Sequence, residues 1–141
     1  MPTQSRQGQR TDGRFLFACA SCGNVAATLE VIHEDREVDG GPLPGGARLR
    51  VRPGAPSCRL EFVNVSVGVA PNGLVELVSG VDAIDPLVLR RIDWELAAFC
   101  CVSCERNYCP QCWTTWAVFD EGFFDCMQGR CPRGHEQMLA D

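Results

Sequence analysis

Apolar positions along the chain fall in short runs that alternate with polar ones, and few recur at the spacing of a helix face. Ordered structure is expected to begin at Phe15-Leu16-Phe17-Ala18, after a polar stretch, residues 1–13, whose composition reads as a disordered tail carrying Arg6 and Arg10. Residues 25–32 are rich in β-formers and predict a strand, ending at His33, which reads as a surface histidine. The Gly- and Pro-rich residues 39–46 predict a loop. Arg48, Arg50 and Arg52 alternate with Leu49 and Val51, the pattern of a half-buried strand with a solvated basic face. After a turn at 53–56, the longest apolar alternation predicts one strand over 58–69, in which Cys58 is a small buried hydrophobe. Pro71-Asn72-Gly73 then predicts a type I′ turn, with 74–78 returning as a strand. A short helix is expected at 86–91, with Asp85 as N-cap and Pro86 at the first helical position. Residues 113–125 predict a hairpin that turns at Asp120-Glu121-Gly122.

The cysteines change this picture from an ordinary β domain to a metal-built one. Seven of the ten lie between Phe99 and His135, in Cys100-Cys101-x-x-Cys104, Cys109-x-x-Cys112, Cys126 and Cys131-x-x-x-His135, and a further pair stands far upstream at Cys19-x-x-Cys22. Two residues between cysteines let a tight turn aim both sulfurs at one tetrahedral ion with bonds of about 2.3 Å. Gly23 and Gly134 supply positions that tolerate the positive φ such knuckles need. Successive strand residues point to opposite faces, so of Cys100 and Cys101 only one reaches an ion, and Cys101 has the repeated spacing. Phe17-x-Cys19-x-x-Cys22 and Phe99-x-Cys101-x-x-Cys104 are alike. Two such knuckles gripping one ion from opposite sides make a zinc ribbon.

Two Zn²⁺ are expected. The first partition is sequential: Cys19, Cys22, Cys101 and Cys104 at one site, then Cys109, Cys112, Cys131 and His135 at the other, with Cys126 as a spare ligand. A cross-brace, pairs one and three on one ion and pairs two and four on the other, uses the same donors. The fold class is therefore mainly β with little helix, a zinc-ribbon-type small domain with an inserted antiparallel β subdomain. Residues 14–23 and 99–141 form the zinc module and 24–98 the insert, one domain over 14–141.

Charge and compartment narrow the partners. The net charge of −5 becomes more negative as thiolates bind metal, which argues against nucleic acid, whose binders carry a basic face. The polar N-terminal stretch lacks the apolar run of a signal peptide, and no window reaches the length of a membrane span. A cytoplasmic chain with ten cysteines is expected to keep them as thiolates on metal rather than as disulfides.

The run Cys101-x2-Cys104-x4-Cys109-x2-Cys112 resembles the central half of the in-between-RING zinc domain. The resemblance implies two zinc ions held in sequence order, with Cys19 and Cys22 standing for the family's early pair and Cys131 and His135 for its late one. The function expected is a non-enzymatic, zinc-stabilised interaction module that binds protein, with Trp113, Trp116 and Phe124, beside Phe123, as partner anchors. Two alternatives are a thiol-redox or metal-sensing protein built on Cys109-Pro-Gln-Cys112, with Cys126 or Cys100 as resolving thiol, and a zinc-ribbon nucleic-acid binder. Zinc hydrolysis or deamination would need an open site and a general base, and the His-x-Glu element of the deaminases is absent.

Overall fold

A computed structural model describes residues 6–32, 36–39, 48–51 and 56–141, the two short middle segments by their backbone alone. His33, loop residues 40–46, Arg52 and turn residues 53–55 lie outside the described residues. The architecture is mainly antiparallel β.

Strand β1 (Gly8–Thr11) turns into β2 (Arg14–Ala18) through Asp12 and Gly13, at φ of 51° and 78°. Two consecutive left-handed residues form the type I′ turn whose twist matches paired strands. This corrects the tail expected over 1–13 for residues 6–13, and residues 1–5 lie outside the described residues. From Gly8 the chain is already a strand, paired with β2 on one side and with β8 (Ala83–Ile84) on the other. Arg6 and Arg10 are correspondingly tied down. Arg6 grips both carboxylate oxygens of Asp85 at 2.9 and 3.0 Å, while Arg10 bonds the Val81 carbonyl at 2.8 Å and stacks on Phe15.

Strands β3 (Val25–Ile32), β6 (Ser57–Glu61) and β7 (Val65–Val69) complete a six-stranded sheet in the order β7-β6-β3-β2-β1-β8. Strands β4 (Arg36–Asp39) and β5 (Arg48–Val51) pair in a separate ribbon. The single strand expected over 58–69 is in fact two, because the chain folds back at Phe62, whose N–H donates to the Asn64 carbonyl at 3.0 Å, and β7 pairs with β6. Folding back gives the second half a ladder partner for its backbone groups.

The return strand expected over 74–78 is instead helix α1 (Leu74–Val78), entered from Gly73 at φ 91°. Leu74 and Val78, four residues apart, are both buried, and that is helical spacing. Helix α2 (Pro86–Ile92) begins where the sequence placed it, with Asp85 Oδ1 accepting from the Leu87 N–H at 3.0 Å, and a 3₁₀ turn, Trp94–Ala97, follows.

Phe15, Phe17, Leu29, Leu60, Leu74, Leu89, Leu96 and Phe99 form one core. Phe17 and Phe99, the equivalent residues of the two similar knuckles, meet with ring centroids 4.5 Å apart. Strand β2 pairs directly with β3, so the segment expected as an insert, 24–98, shares its sheet and its core with the residues on either side.

A second core surrounds the cysteines: Cys19, Ala26, Cys101, Tyr108, Cys109, Trp113, Cys131 and Leu139. It is framed by β9 (Cys100–Cys101), β10 (Arg106–Asn107) and the three-stranded sheet of β11 (Thr114–Asp120), β12 (Phe123–Arg130) and β13 (Glu136–Ala140). The β11–β12 hairpin turns through Glu121 and Gly122, at φ of 49° and 87°, within the expected Asp120–Gly122 turn. No helix among the described residues is long and apolar enough to cross a membrane.

Candidate metal centres

Four local turns present the donors. Between β2 and β3 the chain bends at Cys19-Ala20-Ser21-Cys22, closed by the Gly23 N–H donating to the Cys19 carbonyl at 3.0 Å, with Gly23 at φ 80°. The second knuckle, between β9 and β10, repeats this bond: the Glu105 N–H donates to the Cys101 carbonyl at 2.7 Å, and Glu105 takes φ 56°. The third closes with the Cys112 and Trp113 N–H groups on the Cys109 carbonyl at 2.9 and 3.1 Å. In the fourth, the Gly134 N–H donates to the Cys131 carbonyl at 2.9 Å, with Gly134 at φ 93°.

These turns assemble two sets of four donors. Cys19, Cys22, Cys109 and Cys112 form one, and Cys101, Cys104, Cys131 and His135 the other, with all donor atoms of a set within 4.8 Å of one another. Four ligands on a tetrahedral ion, with metal–sulfur bonds of about 2.3 Å and metal–nitrogen bonds of about 2.0 Å, require edges of about 3.8 Å between sulfurs and about 3.6 Å between sulfur and nitrogen. The Cys22 and Cys109 sulfurs lie 3.5 Å apart, and those of Cys104 and Cys131 3.8 Å apart. The His135 Nδ1 atom lies 3.7, 3.1 and 3.5 Å from the sulfurs of Cys101, Cys104 and Cys131. Both sets fit a tetrahedral ion.

The grouping is a cross-brace. It overturns the sequential partition, and with it the sequence-order filling that the in-between-RING resemblance implies and the ribbon that would set the two similar knuckles on one ion. Two polar contacts show why the chain folds this way. The Ala20 N–H, inside the first knuckle, donates to the Asn107 carbonyl at 2.8 Å, so β10 ends against that knuckle and delivers Cys109 and Cys112 to it. Gln137 ties the fourth turn to the second knuckle: its amide nitrogen donates to the carbonyls of Ala98 and Cys100, both at 2.9 Å, and its oxygen accepts from the Val102 N–H at 3.1 Å. Neither Asn107 nor Gln137 stands out in the sequence.

The thiols are unevenly poised. Burial pushes Cys19 up, yet the surrounding N–H groups of Cys22, Cys109 and Ser21 outweigh it and bring the group down to about 6. Cys131 is likewise brought down to about 7, where N–H groups of His135 and Arg133 outweigh burial. Burial raises Cys101 to about 11, and burial with neighbouring thiols raises Cys112 to about 12. One thiol in each set ionises readily and another resists, which is what like charges crowded together produce and what a divalent cation reverses.

The remaining cysteines stand apart from both sets. Cys100 faces the first core while Cys101 faces the second, as strand alternation requires, and burial pushes Cys100 up to about 12. Cys58 is buried in the first core and is raised by burial to about 11. Cys126, the spare ligand of the sequence reading, is buried in β12 and joins neither set.

The expected anchors divide. Trp113 is 3% exposed and belongs to the second core, its indole N–H donating to the Phe99 carbonyl at 3.3 Å, so it offers nothing to a partner. Trp116 and Phe124 lie on the exposed hairpin, where they are joined by Phe123 and by Phe119, which the sequence reading passed over. Phe119 packs edge-on to Phe124 at 6.2 Å, and Arg130 sits 5.9 Å from the Trp116 ring.

The model of a protein family described as a domain of unknown function, DUF8328, matches residues 9–141. The chain belongs to that family. No curated protein and no solved structure matches it. The DUF8328 match begins within β1 and runs through both donor sets and the aromatic hairpin.

Proposed function

We propose that this DUF8328 chain is a non-enzymatic interaction module, held together by two zinc ions, that binds protein through its β11–β12 hairpin. The observation that carries the reading is how that hairpin is mounted. Trp113 follows Cys112, a donor of the first set, and Arg130 precedes Cys131, a donor of the second. The two ends are therefore fastened to different metal centres, and the tip carries Phe119, Phe123 and Phe124 at 64%, 78% and 53% exposure. Large apolar side chains held rigidly in water are characteristic of contact surfaces.

Zinc is favoured by the donors: four thiolates, or three with one imidazole, at tetrahedral spacing. Each set already supplies four protein ligands, the composition of a structural site rather than of a catalytic one that keeps a position for water. A reducing compartment such as the cytoplasm suits ten unpaired cysteines.

The test combines metal analysis with cross-linking. Purified chain is expected to carry two zinc ions, and cross-links to captured protein are expected to fall on the hairpin. A Phe119→Ser/Phe124→Ser variant that keeps both ions is expected to lose those cross-links. Unchanged capture by that variant, or a zinc-free chain that folds normally, would remove the reading.

A further inference from the structure

We infer that the outer edge of β11 takes an extended, basic peptide segment as a fourth strand of the β11-β12-β13 sheet; this rests on the protein-binding reading above. Strand β11 is an edge of that sheet, and among the described residues no strand pairs with its outer side. Six of its seven residues are exposed, and Val118 is half-buried. An edge strand leaves a row of backbone N–H and C=O groups unpaired, and chains commonly blunt such edges with lysine, proline or a bulge. Strand β11 contains neither lysine nor proline. The register shift between Val118 and Phe119 places the extra residue, Asp125, in the inner strand β12, so the outer edge itself stays regular. The opposite edge, β13, differs: its Gln137 is spent on the second knuckle.

Charge selects the occupant. Asp120, Glu121 and Asp125 stand exposed around the turn and make no ion pair among the described residues. Arg130, at the other end of the hairpin, is engaged by Glu136 and lies against Trp116. The uncompensated charge of the hairpin is therefore negative, and it matches lysine or arginine on an incoming strand. A second copy of the chain would bring the same three carboxylates and, on β11, no cation. Anionic partners such as nucleic acid are repelled. Alternate apolar residues of the added strand would meet Trp116 and Val118 on one face of the sheet, and Phe119 stands on the other, giving main-chain affinity with side-chain selectivity.

The experiment uses the full zinc-loaded chain and three synthetic peptides of about ten residues: alternating Lys and Val, alternating Glu and Val, and the Lys/Val peptide N-methylated at every residue, so that neither of its edges can donate. Binding is followed by calorimetry and by backbone amide shifts. The Lys/Val peptide is expected to bind, to shift the amides of residues 114–120, and to weaken as salt is raised. The Glu/Val and N-methylated peptides are expected to lose binding. An Asp120→Asn/Glu121→Gln/Asp125→Asn variant is expected to bind about tenfold more weakly, three exposed charge contacts together contributing that much. Equal binding of the N-methylated peptide, amide shifts away from β11, or self-association of the chain without peptide would overturn the inference. If natural cross-links vanish with the Phe119→Ser/Phe124→Ser variant but persist in the charge-neutralised one, the basic partner is refuted while the protein-binding reading stands. If they persist in both, the two fall together.

Discussion

The sulfurs of Cys22 and Cys109 stand 3.5 Å apart although 87 residues separate them in the chain. This closeness sets which knuckles share a donor set and fastens the β2–β3 connection of the sheet to the third cysteine pair. It also separates the cross-brace from the sequential partition in a single measurement. Native mass spectrometry of a Cys22→Ser/Cys112→Ser variant is expected to find one ion per chain, because both changes fall in one set. Sequential sites would each lose a ligand and both would empty.

Removing the metal altogether should dismantle the second core. Half of its buried members are donors, and a structural zinc site contributes about 10–16 kcal/mol, comparable to the stability of a whole small domain. Chelation is expected to expose Trp113, read as a red shift and loss of intensity in tryptophan fluorescence, reversed on adding zinc. Fluorescence indifferent to a strong chelator would contradict this.

Gln137 holds three backbone groups with one amide, and its two carbonyl partners belong to the buried residues Ala98 and Cys100. Gln137→Ala leaves them without that partner and should cost about 1–3 kcal/mol. It is also expected to loosen the second metal set more than the first, so that a competing chelator removes one ion from the variant well before the other. Loss of both ions at the same rate would argue against that local role.

Acid stability should depend on Asp85. The Arg6 guanidinium, by its hydrogen bonds, holds this carboxyl below the usual range against the opposing pull of burial, and the Leu87 N–H adds to the effect. A depressed folded-state value gives stabilisation that is full above the unfolded value of about 3.9 and lost as pH falls through the folded one. Asp85→Asn retains a cap for Leu87 but removes the charge, and should cost about 1–3 kcal/mol at neutral pH. That difference from wild type is expected to shrink toward pH 3. Both proteins also release metal in acid, so the difference between them, measured by denaturant unfolding at each pH, is the test; a gap that stays constant would exclude the linkage.

Gly8 meets the sheet at close quarters. A Cβ there would lie 2.6 Å from two atoms of the Phe17 ring, which is fully buried against Phe99 and cannot step aside cheaply. Gly8→Ala is expected to destabilise by about 1–3 kcal/mol through overpacking, whereas Gly68→Ala, in open space on β7, should be near neutral. Equal midpoints in thermal unfolding of the two variants would refute this.

Local chemistry explains what was legible in the sequence. The Cys-x-x-Cys spacing names its own turn, Gly23 and Gly134 mark left-handed positions, and Asp85-Pro86 announces a helix start. The hairpin at Asp120–Gly122 was equally plain. Where the reading failed, a local signal was masked or misassigned. Asp12-Gly13 is a hairpin dipeptide hidden in a polar stretch, and Leu74, Leu77 and Val78 carry helical spacing in too short a run to be noticed beside Asn72-Gly73. The break at Phe62–Asn64 carries no glycine or proline at all.

The chain's order of residues determined by itself the mainly β class, the positions of the four donor-bearing turns and the choice of Cys101 over Cys100, because each follows from contacts within a few residues. Which turns face one another was decided only in three dimensions. A knuckle of a given spacing fits either partition equally well, and the choice rests on the Ala20–Asn107 bond and on the reach of Gln137 to the second knuckle. Burial made the other decision: Trp113 and Trp116 are chemically alike and three residues apart, yet one is packed among the clustered cysteines and the other is exposed, since only the path of the sheet sets which side of the hairpin the core occupies.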